Sequence, residues 1–248
     1  MHTLPKIALT AFIAAGLAVT GGCAQSSLGT ATPAAVTPIG MMASPLASTQ
    51  QQFVQVVQAV SPQVVQIQGS RGLGSGVVFD NRGDVVTNAH VVAGEKQLVV
   101  TLSGGADHPA AIVGTDPAHD LAVVRISGAK PAPATFASSA TPQVGDLVLA
   151  IGNPLGLRSS VTQGIVSSLN RSVSEGNGVT LSNAIQTSAA INPGNSGGAL
   201  VDLSGTVIGI PTLAALDPQL GGGPAAGIGF AIPSSTVRQV ATRLIGSS

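Results

Sequence analysis

Three short stretches of this 248-residue chain hold the residue types that acyl transfer needs. Asn192-Pro193-Gly194-Asn195-Ser196-Gly197-Gly198-Ala199 sets a serine on a glycine-flanked turn. Such a turn exposes Oγ and lets successive backbone N–H groups point at one spot, where they can stabilise a developing oxyanion. The candidates are the N–H groups of Gly194, Asn195 and Ser196, with glycine at 194 permitting a backbone conformation that side chains resist. A serine hydroxyl is a poor nucleophile near neutral pH and needs a base within hydrogen-bond reach. Thr87-Asn88-Ala89-His90-Val91-Val92 supplies a histidine for that task, and His119-Asp120-Leu121-Ala122-Val123-Val124 supplies a carboxylate. His90 is the candidate general base, returning its proton to the leaving group. Asp120 is the candidate that fixes the imidazole tautomer and stabilises its charged form. Histidine, aspartate and serine in that chain order is one known way to build a triad.

Other polar residues have local roles. Asp116, in the turn signature Gly114-Thr115-Asp116-Pro117, reads as a backbone acceptor. His119 reads as a surface residue or a support beside the site, and His108, next to Pro109, as loop. Gly72-Leu73-Gly74-Ser75-Gly76 is no nucleotide loop, because a strand pattern follows and no Gly-Lys-Ser/Thr occurs. Arg82-Gly83-Asp84 reads as a hairpin tip rather than an adhesion tripeptide.

The elements that must carry these residues are strands. Glycine (32) and proline (16) are frequent, only 8% of residues are charged, and Trp and Tyr are absent, so the core is aliphatic. Short Val/Ile runs between turn signals are the pattern of sandwiches and barrels. One group of runs covers 64–67, 76–79, 85–87, 98–102, 111–113 and 121–126. A second covers 147–151, 160–167, 184–187, 199–201, 206–210 and 229–232. Two groups of six predict an all-β fold of two packed six-stranded antiparallel β-barrels, barrel 1 at about 64–128 and barrel 2 at about 140–235. Residues 235–245 form a C-terminal helix, with Val237, Val240, Ala241 and Leu244 at helical spacing. Phe53, Val57 and Val60 mark a helix ahead of barrel 1, stopped by Ser61-Pro62. His90 and Asp120 then fall on barrel 1 and Ser196 on barrel 2, with the site in the cleft between them.

The formal net charge of zero leaves no footprint for nucleic acid. A single cysteine, Cys23, excludes an internal disulfide framework and any cysteine-based metal site. Residues 1–23 read as an export signal: a short basic start, then an apolar run at 7–19 too short to span a bilayer comfortably. Val19-Thr20-Gly21-Gly22-Cys23 resembles a bacterial lipoprotein processing site, although Thr20 stands where leucine is usual. Lipidation at Cys23 would anchor the chain to the membrane; the alternative is an ordinary signal cut after Ala24 and a freely secreted product. Residues 24–52 carry no charge and are rich in Ser, Thr, Ala, Pro and Gln, the composition of a flexible tether.

From about residue 64 to the C-terminus the chain resembles the HtrA/Deg type of trypsin-like serine proteases. Five blocks in order carry the resemblance: Gly74-Ser75-Gly76-Val77-Val78 leading to the His90 motif, the Asp120 motif, residues 145–151 with Gly152-Asn153-Pro154, residues 185–200, and Gly227-Ile228-Gly229-Phe230-Ala231-Ile232-Pro233. The resemblance implies the two-barrel fold for a protease domain at 53–248, and a serine endopeptidase with no cofactor and no metal. It implies polypeptide substrates, unfolded or damaged proteins of the bacterial cell envelope. It places Ala190, six residues before the nucleophile, at the pocket base, with Ile191 beside it and Gly227, Ile228, Gly229 and Phe230 along the wall. No carboxylate awaits a basic side chain there, so cleavage after small aliphatic residues is expected, with the 212–226 loop bordering the pocket. Ser188 stands where many members have an acidic residue, and the 172–182 loop is the one that senses activation in relatives. The chain ends soon after Ile245, which leaves no room for the PDZ domain of relatives. A homotrimer assembled through N-terminal segments is expected by the same analogy, with Phe53 as a contact. Two other functions remain open: a catalytically resting scaffold or holding chaperone, and an ester hydrolase using the same triad.

Overall fold

The computed structural model describes residues 45–138, 142–153, 160–174, 180–192, 194–217 and 223–247; at 45–47, 213–217 and 223–226 it describes the backbone alone. The export signal, Cys23, the first part of the tether, Pro193, Pro154 and residues 175–179 and 218–222 lie outside the described residues.

Six strands form the first barrel: β1 (Val64–Gln68), β2 (Leu73–Val78), β3 (Asp84–Thr87), β4 (Leu98–Thr101), β5 (Asp107–Asp116) and β6 (Leu121–Ile126). They pair in the order β1-β2-β3-β6-β5-β4, and β4 returns to β1 to close the sheet. The second barrel comprises β7 (Leu147–Gly152), β8 (Ser160–Ser174), β9 (Thr180–Thr187), β10 (Ala199–Asp202), β11 (Val207–Asp217) and β12 (Gly223–Pro233). Its order, β10-β11-β12-β9-β8-β7, also closes, through β7 and β10. Every pairing within these barrels is antiparallel. The two-barrel expectation therefore holds.

Successive strand residues face opposite sides of a sheet, and along most of β1, β2, β3, β6, β7 and β10 both sides are dry. In barrel 1, Val65, Ile67, Val78, Val85, Ala122 and Val124 fill the interior. Their neighbours Val64, Val77, Val86, Leu121 and Val123 face outward into a second core shared with barrel 2. Val148, Ala150, Ile185 and Leu200 fill barrel 2, while Leu149, Ile151, Val201 and Ile232 meet the shared core. This double burial explains why the strands read as unbroken aliphatic runs. A crossing segment joins the barrels: Ala134 N–H donates to Val78 O (2.9 Å) and Val207 N–H to Thr135 O (2.8 Å). Phe136 on that segment meets Phe79 edge-on at 5.3 Å.

Helix α1 (Pro45–Val60) and helix α3 (Ser234–Gly246), on either side of the short α2 (Ala89–Val92), cap the shared core. Val56, Val60, Val237, Val240, Ala241 and Ile245 enter it. Helix α1 begins inside the segment expected to be flexible, and Gln52 Nε2 anchors it to Leu203 O at 3.2 Å. Its uncharged Ser/Thr/Gln turns hide a helix from composition. Further differences concern length. Both β8 and β9 run into the expected 172–182 loop, and β11 and β12 into the expected 212–226 loop. Small residues hold these ribbons by main-chain pairing, which leaves no alternating apolar signature. His108 is strand rather than loop, paired with Val100 on β4. Arg82-Gly83-Asp84 is indeed a hairpin tip, where the fully buried Asp84 accepts Arg125 Nε (2.7 Å).

Candidate active site

Strand register brings the first two site residues together. Thr87 on β3 lies opposite Ala122 on β6, so the chain leaving β3 and the chain entering β6 meet at one barrel end. The exit turns straight into α2, which carries His90, and the entry is Asp120. Asp120 has φ +48°, a left-handed conformation that aspartate tolerates better than most side chains. A 3₁₀ turn, Pro117–His119, sets it there, with Asp120 N–H donating to Pro117 O (3.2 Å) and Asn88 Nδ2 to Asp120 O (3.0 Å).

The Asp120 carboxylate is buried yet well supplied with donors. It accepts the His90 backbone N–H (3.0 Å to Oδ1), His90 Nδ1 (2.9 Å to Oδ2) and Thr212 Oγ1 (2.5 Å to Oδ2). An ionised carboxylate only accepts, so Nδ1 carries the ring proton and Nε2 is left with its lone pair. The imidazole itself is about half exposed, with 45% of its side-chain surface accessible.

The serine arrives from barrel 2 on a turn built by Asn195, which is buried. Asn192 N–H donates to Asn195 Oδ1 (3.1 Å), Asn195 N–H to Asn192 O (3.1 Å) and Asn195 Nδ2 to Ala190 O (3.0 Å). Gly194 sits at φ +104°, as a glycine can. Because the turn itself uses the Asn195 N–H, this group is not free for an oxyanion, a correction to the three-donor expectation. Among the described residues, the Gly194 and Ser196 N–H groups have no protein acceptor.

Ser196 Oγ donates to the Thr212 carbonyl (3.1 Å), the same residue whose hydroxyl holds Asp120. Thr212 thus links nucleophile candidate and carboxylate. The turn also lies directly on the approach to His90: a Cβ at Gly197 would come within 3.2 Å of Asn88 N and collide with Thr87 Oγ1 and Ser75 O. Gly197 is therefore required by close approach.

The expected pocket residues divide. Ala190, Gly227 and Ile228 are exposed. Ile191 is buried in the barrel 2 interior and packs tightly over Gly229. Phe230 turns into the core between the barrels. Beside His90, on the Asp120 side, opens a cavity of about 480 Å³ lined largely by apolar groups, among them Val92, Ala93, Ile112 and Pro117.

Residues 74–210 match the family of trypsin-like peptidase domains. The chain belongs to the trypsin-like peptidases. Within them it is of the HtrA type. It is 39% identical over 263 residues to the serine protease PepD of Mycobacterium tuberculosis, covering 96% of this chain and 54% of that one. It is 48% identical over 182 residues to the periplasmic serine endoprotease DegP of Escherichia coli K12, covering 73% of this chain and 37% of DegP. The crystal structure of a serine endoprotease from Yersinia pestis superposes with a TM-score of 0.66 at 38% identity, over 78% of this chain and 66% of that one. The chain thus spans about half or less of these two curated relatives.

In this trypsin-like peptidase, sequence reading missed three residues of the site. Thr212 fell within an expected loop. Ser75 and Asn153 belong to blocks noted only for resemblance, and a lone serine or asparagine gives no chemical signal. Ser188 supports its own loop, its hydroxyl accepting Ile165 N–H at 3.0 Å. Asp116 is the local acceptor expected: it takes the His119 N–H (3.2 Å), His119 Nδ1 (3.0 Å) and the Arg243 guanidinium of α3. Burial alone would raise its carboxyl; the His119 and Arg243 bonds outweigh that and hold it below the ordinary aspartate value. Helix α3 thereby braces the turn that presents Asp120. On the other side, hydrogen bonds from Ser70 and Arg71 hold the half-buried Glu95 below its ordinary value and tie the β1–β2 hairpin to the loop after α2.

Proposed function

We propose that this trypsin-like peptidase is an exported serine endopeptidase with Ser196 as nucleophile, His90 as general base and acid, and Asp120 as the carboxylate orienting it. One observation carries the reading: a single buried carboxylate bonds the imidazole directly and reaches the serine hydroxyl through Thr212. In the reaction the Ser196 hydroxyl turns from the Thr212 carbonyl, gives its proton to His90 Nε2 and attacks the scissile carbonyl carbon. The oxyanion settles between the Gly194 and Ser196 N–H groups; losing one such donor typically costs about 2.7–4 kcal/mol. Collapse breaks the C–N bond, and the amine leaves with the proton from His90. Water then repeats the sequence on the acyl-enzyme, releasing the acid and restoring Ser196.

Of the residues expected at the pocket, Ala190, Gly227 and Ile228 stay exposed, Ile191, Gly229 and Phe230 are buried behind them, and none of the six carries a charge. A small aliphatic side chain suits such walls. The apolar cavity beside His90 takes a neighbouring substrate residue. The names of relatives, periplasmic among them, support export and action on envelope polypeptides. A lipid anchor at Cys23 belongs to the same reading, as does a homotrimer. Phe53 packs partly against the core of its own chain, so its role in assembly would be through α1 as a unit.

The test is turnover of a fluorogenic peptide library by the intact chain and by Ser196→Ala. Cleavage after Val, Ala or Leu that disappears in Ser196→Ala supports the proposal. Turnover of simple esters alone, or equal rates in the variant, would defeat it.

A further inference from the structure

One buried hydroxyl outside the proposed triad touches the nucleophile turn from the opposite barrel. Ser75, on β2 of barrel 1, has no solvent exposure. Its Oγ donates to Gly194 O at 2.6 Å and accepts Asn153 N–H at 2.8 Å, where β7 has just ended. Its backbone N–H donates to Ser196 O at 3.0 Å, and its carbonyl takes Thr87 Oγ1 at 2.6 Å, three residues before His90. All four polar contacts of one residue thus join the turn, the end of β7 and the approach to His90.

The contact at Gly194 controls a peptide plane. The Gly194–Asn195 peptide is held at both ends, its C=O by Ser75 Oγ and its N–H by Asn192 O (3.1 Å). Glycine at φ +104° has little intrinsic reason to stay there. If that plane rotated, both bonds would break, and the turn that carries the Gly194 and Ser196 N–H groups would lose its anchor at the Gly194 carbonyl. Two residues along, the Ser75 N–H fixes the other end of the same stretch.

We propose that Ser75 is a positioning residue: its hydroxyl, reaching from barrel 1, holds the Gly194 carbonyl so that the Gly194 and Ser196 N–H groups converge on one point. This rests on Ser196 being the nucleophile. It adds a reason for two barrels: the oxyanion donors of barrel 2 are set by barrel 1, so loss of this one hydroxyl contact disables the site with the triad side chains in place.

The experiment compares Ser75→Ala and the near-isosteric Ser75→Cys with the unmodified chain, each normalised to folded protein by circular dichroism. Three readouts are taken: kcat and KM on a peptide, affinity for a peptide boronate that forms a tetrahedral adduct, and hydrogen exchange across residues 192–200. In Ser75→Ala kcat should fall about 10- to 100-fold with KM within about threefold, and boronate affinity should fall in step. Exchange at 192–200 should rise while the barrel strands keep their protection, with Ser75→Cys intermediate. Unchanged kcat and boronate affinity per folded molecule would overturn the proposal, as would a rise in KM alone or a loss confined to thermal stability. Should the unmodified chain and Ser196→Ala be equally inert, the peptidase reading fails instead. Exchange at 192–200 then decides whether the Ser75 hydroxyl holds the turn.

Discussion

Replacing Asp120 by asparagine changes one atom and should silence the enzyme while leaving the fold intact. Asparagine has the same shape and accepts the left-handed backbone at this position, φ +48°. Its amide, however, offers one acceptor and two donors, where the carboxylate meets only donors: the His90 N–H and Nδ1–H and the Thr212 hydroxyl. An NH₂ in place of Oδ1 would face the His90 N–H, a clash no rotation relieves. It will therefore take the Oδ2 place, where the Thr212 hydroxyl can turn to accept, and there it faces Nδ1 at 2.9 Å, while the remaining oxygen, 3.0 Å from Nδ1, is already engaged by the His90 backbone N–H. Nδ1 becomes an acceptor, the ring proton moves to Nε2, and the base is lost. The charge that stabilises the imidazolium goes too. A loss of about 10⁴ in kcat is expected, about 5.4 kcal/mol of barrier, with KM little changed. Peptide turnover at neutral pH, with circular dichroism to confirm folding, measures it. A folded Asp120→Asn protein within about tenfold of the original kcat would refute the reasoning from tautomer to rate.

Thr212→Val keeps shape and removes a hydrogen bond to a charged group, worth about 1.5–3 kcal/mol; kcat should fall roughly 10- to 100-fold, and an unchanged rate would show that the Thr212 hydroxyl is dispensable. Asp116→Asn should lower stability by up to about 1 kcal/mol at neutral pH, because Arg243 and His119 are largely exposed. Since the Asp116 carboxyl is held below its ordinary value, its contribution is present above the ordinary carboxyl range, about pH 4, and is lost as pH falls through the lower folded value; the urea-midpoint difference should shrink as the pH is taken below that range, and a gap constant with pH would contradict this. Peptide turnover should fall on acidification, because a protonated His90 Nε2 cannot accept the Ser196 proton, and a rate flat down to about pH 4 would exclude His90 as base.

Much of this molecule is readable from its residues, because burial of both faces writes strands such as β1, β3, β6, β7 and β10 as compact aliphatic runs. The run at 121–126 matches β6 end to end. Where the runs stop being apolar, legibility stops with them. The outer halves of β8, β9, β11 and β12 are joined by main-chain bonds between small and polar residues, which composition describes as loop. His90, Asp120 and Ser196 stand out because histidine, aspartate and a glycine-bound serine are chemically marked. Thr212, Ser75 and Asn153 act through a carbonyl, a hydroxyl or a backbone N–H, and only the closing of two barrels against each other shows what those groups reach. The Asn195 N–H, expected among the oxyanion donors, is consumed within its own turn by the Asn192 carbonyl.

The central claim is that Ser196 is a hydroxyl activated by His90. It is tested most directly by treating the intact chain with a fluorophosphonate and locating the adduct by mass spectrometry. One adduct is expected, on Ser196, absent from Ser196→Ala and strongly reduced in His90→Ala. Labelling at another serine, or undiminished labelling in His90→Ala, would contradict it.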